Sequence, residues 1–433
     1  MSTLLHIDTK LEAREESGQI IRVGIVGTGQ MGRGLVSQMI CMKGIAPAIV
    51  SSRDAERAKY TYLNAGIQPE SIAMARSADE AAYHMEKGKY VVCEDETLVS
   101  KTSLIDCVVD ATGATDMGAR VATETIRNGK HIVMLNVETD VVIGPYLKRL
   151  ADEAGVIYTG SAGDEPGAVM ELYSFARAMG MEVKVIGKGK NNGLDRTATP
   201  DRMEEEAIRR KMNPKMLTAF RDGTKTMVEL CAMSNATGFV PDVPGTHGAA
   251  SDVKGLNTLY RLKEEGGILN RHGVVEFVGG IAPGVFVTAH TDSEEVAYQL
   301  QYLEMGPGPL WTFYRPYHLC SLETPLTVAK CVIDGEYTIV PRGDLVSECV
   351  AVAKKDLAAG EVIDGMGGYT AYGLAVEKTQ SDTGNCVPFG LITPGCKMKK
   401  SVKKGEMLTH DAIELDTSTL IYKLRKEQDS MMF

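Results

Sequence analysis

The run Ile21-Arg22-Val23-Gly24-Ile25-Val26 leads directly into Gly27-Thr28-Gly29-Gln30-Met31-Gly32 and then into a helix-like stretch ending near Met42. β-Branched residues favour an extended strand, and glycines spaced G-x-G-x-x-G let the chain turn sharply into a helix. The first glycine permits the tight turn, the second lets backbone approach a pyrophosphate, and the third allows close helix–strand packing. The helix N-terminus offers unpaired N–H groups and a partial positive charge to phosphate. In this context the pattern predicts a dinucleotide site built by Gly27, Thr28, Gly29, Gln30, Met31 and Gly32. A Gly-rich turn that merely packs is the alternative.

The rest of the N-terminal half has the alternation of a doubly wound architecture. Ala46–Ser51 reads as a second strand and Asp54–Ala65 as a second helix, with a helical patch after them at Ala78–Glu86. Short apolar strands come next at Tyr90–Cys93, Cys107–Asp110, His131–Leu135 and Val156–Thr159, the later ones separated by helices near Met117–Asn128 and Ile143–Ala154. Strands separated by helices imply a parallel sheet covered on both faces. The fold class is therefore α/β, with three expected domains. Residues 1–162 form the nucleotide-binding Rossmann domain, 163–340 a central α/β substrate and oligomerisation domain, and 341–433 a small β domain. In the central part, Ala168–Met179 and Pro214–Ala236 read as long helices, Gly187–Arg202 as a polar loop, and Val274–Thr288 as antiparallel strand. In the last part, Lys354–Ile363 and Lys403–Leu408 echo each other, each with a basic pair leading to Gly-Glu and two apolar residues.

The tip of the second strand, Ser51-Ser52-Arg53, falls where an NAD site usually places an acid on the ribose hydroxyls. Hydroxyls and a guanidinium suit a 2′-phosphate instead, so NADPH is expected over NADH. A solvated charged face that includes Arg57 is the plain alternative. Thr112 and Gly113, after the Asp110 strand, are placed to line the nicotinamide ribose. Asn136 lies at a strand's C-terminal end, where open parallel sheets bind ligands, and is a candidate to orient nicotinamide or substrate there. Glu138 reads equally as a helix cap.

Beyond the cofactor, Asp164 and Glu165 stand together before a helix, as capping residues or as oxygen ligands for Mg²⁺ or Mn²⁺ with Glu229 as a third carboxylate. Lys225 precedes Glu229 by four residues, the weaker orientation for a helical ion pair. Lys188, Lys190 and Asn191 lie in a run suited to an anionic or polyol substrate, with Lys190 a proton donor or acceptor if burial lowers its proton affinity; solvated loop lysines are the plain alternative. Arg315 is a candidate clamp for phosphate or carboxylate, and His318 a candidate acid–base group or core histidine.

Composition excludes several classes. The 47 Lys+Arg against 57 Asp+Glu give a net charge of −10, a poor match to a nucleic-acid backbone. No apolar run approaches the roughly 20 residues of a membrane span. The nine cysteines are scattered without CxxC spacing, which fits a reducing cytoplasm rather than a disulfide framework. No GxSxG or HExxH is present to support hydrolysis.

Taken together, VGIVGTGQMGRG, VDATG and VMLNVE resemble the Rossmann domain of homoserine-dehydrogenase-like proteins. The later GDEPG, GKGKNN, DGTKTMVEL and FYRPYHL runs, with the C-terminal AGEVI turn, resemble the variant that carries a SAF-like domain, similar to the deoxyxylulose phosphate reductoisomerase-like family. The resemblance implies a homodimer or homotetramer using NADPH, with no nucleic-acid or membrane partner. It implies reductoisomerisation of 1-deoxy-D-xylulose 5-phosphate in isoprenoid biosynthesis, with Asp164, Glu165 and Glu229 facing a metal. Lys190, Lys225 and Glu229 would be catalytic, and Lys188, Asn191, Arg315 and His318 would hold substrate. A simple homoserine-dehydrogenase-like dehydrogenase of a hydroxy acid, polyol or semialdehyde is the alternative, and a non-catalytic NADPH sensor a further one.

Overall fold

Short β-branched runs with almost no polar residue are stable only where both faces of a sheet are covered, and such runs dominate the N-terminal half. The computed structural model describes residues 6–431. These fall into two compact units: the chain up to Gly167 together with Leu319–Val340, and Ala168–His318 together with the chain from Pro341 onward.

The first unit holds a seven-stranded parallel sheet in the order β3-β4-β2-β1-β5-β6-β7. Its strands are β1 Ile21–Val26, β2 Ile45–Ser51, β3 Ile72–Met74, β4 Tyr90–Cys93, β5 Cys107–Asp110, β6 His131–Met134 and β7 Tyr158–Gly160. Strand order reverses between β1 and β5, which opens the crevice that doubly wound sheets use for ligands. β3 does not stand out in the sequence; three half-buried residues at a sheet edge leave little pattern.

Helix starts follow local chemistry. Asp54 caps the Ala55–Asn64 helix through Glu56 N at 3.1 Å, and Ser77 caps Ala78–Glu86 through Glu80 N at 3.2 Å. The Val137–Ala154 helix is kinked at Ile143, two residues before Pro145, which explains why only its second half is legible in the sequence.

The segment Leu319–Val340 is expected in the central domain, yet it belongs to this first unit. Its Cys320–Asp334 helix lies on the Gln30–Ile40 helix so closely that a Cβ on Gly34 would come within 2.6 Å of Ser321 Oγ. Val328, Ala329 and Cys331 join Val23, Ile25 and Leu35 in one buried cluster.

The second unit contains a five-stranded mixed sheet in the order β12-β11-β8-β10-β9. The strands are β8 Glu182–Lys190, β9 Val240–Pro241, β10 Val274–Gly279, β11 Val285–His290 and β12 Leu310–Arg315. Two expectations need correcting here. Gly187–Lys190 is not loop but the end of the central strand; the glycines make that possible. A Cβ at Gly187 would meet the Phe286 ring at 2.4 Å, and one at Gly189 would meet Ala282 N at 2.5 Å. Val274–Thr288 is not one antiparallel pair either: β10 runs parallel to β8 on one side and β11 antiparallel on the other.

Pro214–Ala236, read as one helix, is two: Pro214–Arg221 and Thr224–Thr237. Gly223 takes φ 86° between them, and the Asp222 carboxylate accepts from Thr224 N at 2.9 Å.

The chain after Pro341 forms the hairpin β13 Ser347–Ala353 and β14 Ala371–Glu377, then the short pair β15 Lys397–Met398 and β16 Ile413–Glu414. The echoed segments are the same turn used twice. Glu361 accepts from Ala358 N at 3.1 Å and Glu406 from Lys403 N at 2.9 Å, with Gly360 and Gly405 at φ 84° and 86°. The two turns pair through Leu357 and Val402, whose N–H and C=O groups bond reciprocally at 2.9 and 3.0 Å. The closing helix Leu420–Ser430 is anchored by Arg425, which grips Glu348 bidentately in the core.

Candidate active site

The crevice at the β1–β5 reversal is built as the glycine spacing requires. Gly27 adopts φ 108°, and a Cβ there would lie 2.7 Å from Ala111 O. Gly32 is equally closed to side chains, its would-be Cβ 2.0 Å from Gly27 O, whereas Gly29 faces open space. Gly29 is also the N-cap of the Gln30–Ile40 helix, whose first turn has neither a side-chain cap nor an acid. An open, uncapped, acid-free helix N-terminus fits a pyrophosphate. Arg33 Nη1 donates to Thr28 O at 3.1 Å and steadies the turn.

At the tip of β2 the adjacent serines part. Ser51 is buried, 1% exposed, and its hydroxyl bonds toward Cys93, so it is unavailable to a ribose phosphate. Ser52 is half-buried and takes a hydrogen bond from Thr28 Oγ1 at 3.2 Å. Arg53 is exposed, and Asp54 is occupied as a helix cap. Ser52 and Arg53 are therefore accessible at the strand tip and Ser51 is not.

The loop after β5 is held by a buried carboxylate. Thr112 donates to Asp110 Oδ1 from both N and Oγ1, at 2.9 and 2.7 Å, and Asn136 Nδ2 reaches Asp110 Oδ2 at 3.1 Å. Burial pushes the Asp110 carboxyl up to about 6 against these bonds. Asn136 is 1% exposed; it also donates to Ala114 O at 3.0 Å and caps Thr139 N at 3.2 Å. Its amide thereby ties the β5 loop to the start of the next helix. Glu138 lies one residue inside the helix and is not its cap.

In the second unit, sheet register gathers the cations. Lys188 pairs with Val285 of β11, and Val285 with Arg315 of β12, which places both cations in one row; Lys190 stands two residues on, on the same face. Lys188 is fully enclosed against Glu229, the two forming a buried ion pair. Lys190 donates to Phe220 O at 2.6 Å, and its proton affinity falls to about 8, chiefly through burial and then through Lys188. Arg315 lies 3.5 Å from Glu171 and over the Tyr317 ring at 4.6 Å.

Lys225 is half-buried on the Thr224–Thr237 helix, while Glu229, one turn on, turns to Lys188. One carboxylate oxygen of Glu229 is thus engaged by an ammonium. Asp164 is buried and Glu165 half-buried at the start of the Glu165–Ala178 helix; Asn191 is exposed and His318 half-buried.

Sequence reasoning misses Asp222, Arg196, Lys354 and Tyr372. Asp222 pairs with buried Lys354 at 2.7 Å, burial raises its carboxyl, and Arg196 stacks on Tyr372 at 4.7 Å while donating to Asp222 O. Asp222 stands in the DGTKTMVEL run and Lys354 in the first echoed basic pair, but no linear spacing links them.

Residues 22–87 match the family described as NADP oxidoreductase, coenzyme F420-dependent, which is the span of the glycine turn and the β2 tip. Residues 163–324 match that described as oxidoreductase DRL, catalytic domain, which contains Lys188, Lys190 and Glu229. The chain is an NAD(P)-dependent oxidoreductase. Among solved structures it is similar to a probable dehydrogenase from Thermotoga maritima, at 13% identity over 75% of this chain and 91% of that one, with a TM-score of 0.41. It is also similar to scyllo-inositol dehydrogenase from Lactobacillus casei, at 13% identity over 62% and 73% with a TM-score of 0.35. No curated protein matches this oxidoreductase. Among its described residues no helix is long and apolar enough to cross a membrane.

Proposed function

We propose that this oxidoreductase is an NADP(H)-dependent dehydrogenase interconverting an alcohol and a carbonyl on a small anionic, hydroxylated substrate. Hydroxy acids, polyol phosphates and semialdehydes are the candidate class. The observation that carries the reading is Lys190: a largely buried amine, beside the enclosed Lys188–Glu229 pair, with its proton affinity lowered to about 8. A general acid–base group works best when its pKa lies near the operating pH.

Gly27–Gly32 would hold NADP(H), and Ser52 and Arg53 its 2′-phosphate; the chemistry the cofactor would supply is hydride transfer. In alcohol oxidation the neutral Lys190 Nζ takes the hydroxyl proton; in carbonyl reduction its ammonium returns one to the oxygen. Beyond burial, the neighbouring Lys188 favours Lys190's neutral form, with Glu229 partly opposing it. Arg315, its guanidinium 4.6 Å from the Tyr317 ring centroid, would clamp a carboxylate or phosphate of the substrate. We take the protein to be a cytoplasmic homo-oligomer with a SAF-like C-terminal β module, as the sequence resemblance implies.

Metal-assisted reductoisomerisation of 1-deoxy-D-xylulose 5-phosphate is the second reading, favoured by the buried Asp164 beside Glu165. One assay separates the two: NADPH consumption on a panel of sugar acids, hydroxy- and oxo-acids, aspartate semialdehyde and deoxyxylulose phosphate, with and without chelator. A simple dehydrogenase consumes NADPH with a member other than deoxyxylulose phosphate and ignores chelator. Turnover of deoxyxylulose phosphate alone, lost with chelator and restored by Mg²⁺ or Mn²⁺, gives the second reading. Tight NADPH binding with no turnover anywhere overturns both and leaves a sensor.

A further inference from the structure

A second polar groove, of about 710 Å³, opens at the other end of the mixed sheet, where β8 begins. The nine residues from Glu182 to Lys190 put the lysines roughly 25 Å from it along the strand. Its floor is the buried Tyr173 ring, packed edge-on against Phe239 at 5.9 Å. Two guanidiniums flank that ring: Arg177 at 5.4 Å and Arg342 at 5.8 Å from its centroid.

Both arginines are poorly used by the protein. Arg177 Nη1 has only the Tyr173 hydroxyl, at 3.4 Å. Arg342 has the same hydroxyl at 3.4 Å and Thr237 O at 3.2 Å. A guanidinium carries five N–H donors, and the hydrogen bonds of these two go to a hydroxyl and a carbonyl, none to a carboxylate among the described residues. Arg149, Arg202, Arg221 and Arg425, by contrast, each have a carboxylate partner. Glu182, the acid on the rim, is taken by Lys184 at 2.6 Å. His272 adds a further unspent group: its Nε2 is enclosed at the groove wall with no hydrogen-bond partner.

Two unmatched guanidiniums around an aromatic floor, with a buried ring nitrogen beside them, lack an acceptor. We infer that this groove is a binding site for a small oxyanion, a carboxylate or a phosphate monoester, held between Arg177 and Arg342. The site is separate from the proposed chemistry and stands whether or not that reading holds.

The test is calorimetric titration of the full chain, its nucleotide site filled with NADPH, with succinate and separately with inorganic phosphate at constant ionic strength. One of the two should bind, and which one does identifies the ligand class. Arg177→Gln, a change at an exposed side chain that leaves the fold intact, should weaken that binding at least tenfold, and Arg342→Gln likewise, with NADPH affinity unchanged in both. Absence of heat with either anion, or binding that survives Arg177→Gln undiminished, would overturn the inference.

Discussion

Ser51 and Ser52 are neighbours in sequence, but strand alternation buries the first and leaves the second beside Thr28. Their substitutions should therefore act differently. Ser52→Asp places a carboxylate where a 2′-phosphate would sit, so the ratio of kcat/KM for NADPH over NADH should fall at least tenfold, about 1.4 kcal/mol. Ser51→Asp instead buries an unpaired charge and should lower the melting temperature without moving that ratio. Steady-state kinetics with both cofactors, alongside thermal denaturation, checks the pair; an unchanged ratio in Ser52→Asp would remove the phosphate from this strand tip. Lys190 gives a second test at this scale. With its amine near 8, carbonyl reduction needs the protonated form and should fall as pH rises through about 8, while alcohol oxidation should rise. Lys190→Arg, which cannot deprotonate in this range, should abolish the oxidation limb in a pH–rate profile. The glycine turn is legible in the sequence because its geometry is local, fixed by φ and close approach at Gly27 and Gly32. Which serine faces outward is not, because that depends on what β4 places beside it.

At the scale of elements, β8 shows where a polar sequence misleads. Gly187–Lys190 alternates glycine and lysine and reads as the start of a loop, yet it ends the central strand of its sheet. Two things outside the run make it so: the Phe286 ring and the Ala282 backbone fill the space that Gly187 and Gly189 leave, and Glu229 neutralises Lys188. None of those partners lies within 30 residues, so no window over the strand could reveal them. The consequence is measurable. Glu229→Gln leaves the Lys188 ammonium buried without its counter-charge and should cost about 3–5 kcal/mol in urea denaturation. Removing both charges, as Lys188→Met with Glu229→Leu, should cost much less, since a buried ion pair is often replaceable by apolar groups. If the single and double variants lose equal stability, the pair is not what permits the strand. The β1–β7 strands are legible by the same reasoning in reverse: apolar runs covered by helices need no distant partner to declare themselves.

At the scale of the molecule, local composition suggests three consecutive domains, but the chain makes two units and returns to the first after leaving it. The return is invisible in sequence because the apolar face of Leu319–Val340 meets its partners, nearly 300 residues earlier, only in the fold. Its value lies in packing. Val328, Ala329 and Cys331 fill the same cluster as Leu35 and Val36 of the glycine-turn helix, and Ser321 lies against Gly34. A fragment ending at Gly167 would expose that face of the Gln30–Ile40 helix to water, at a cost of the order of 1.5–3 kcal/mol for each large apolar side chain uncovered. Such a fragment should bind a hydrophobic dye and take up NADPH weakly or not at all. Joining residues 1–167 to 319–340 through a flexible Gly-Ser linker should restore cooperative unfolding and NADPH affinity close to that of the whole chain. Should the shorter fragment bind NADPH as tightly as the joined one, the Cys320–Asp334 helix is dispensable to the nucleotide fold and its place in that core would count for nothing.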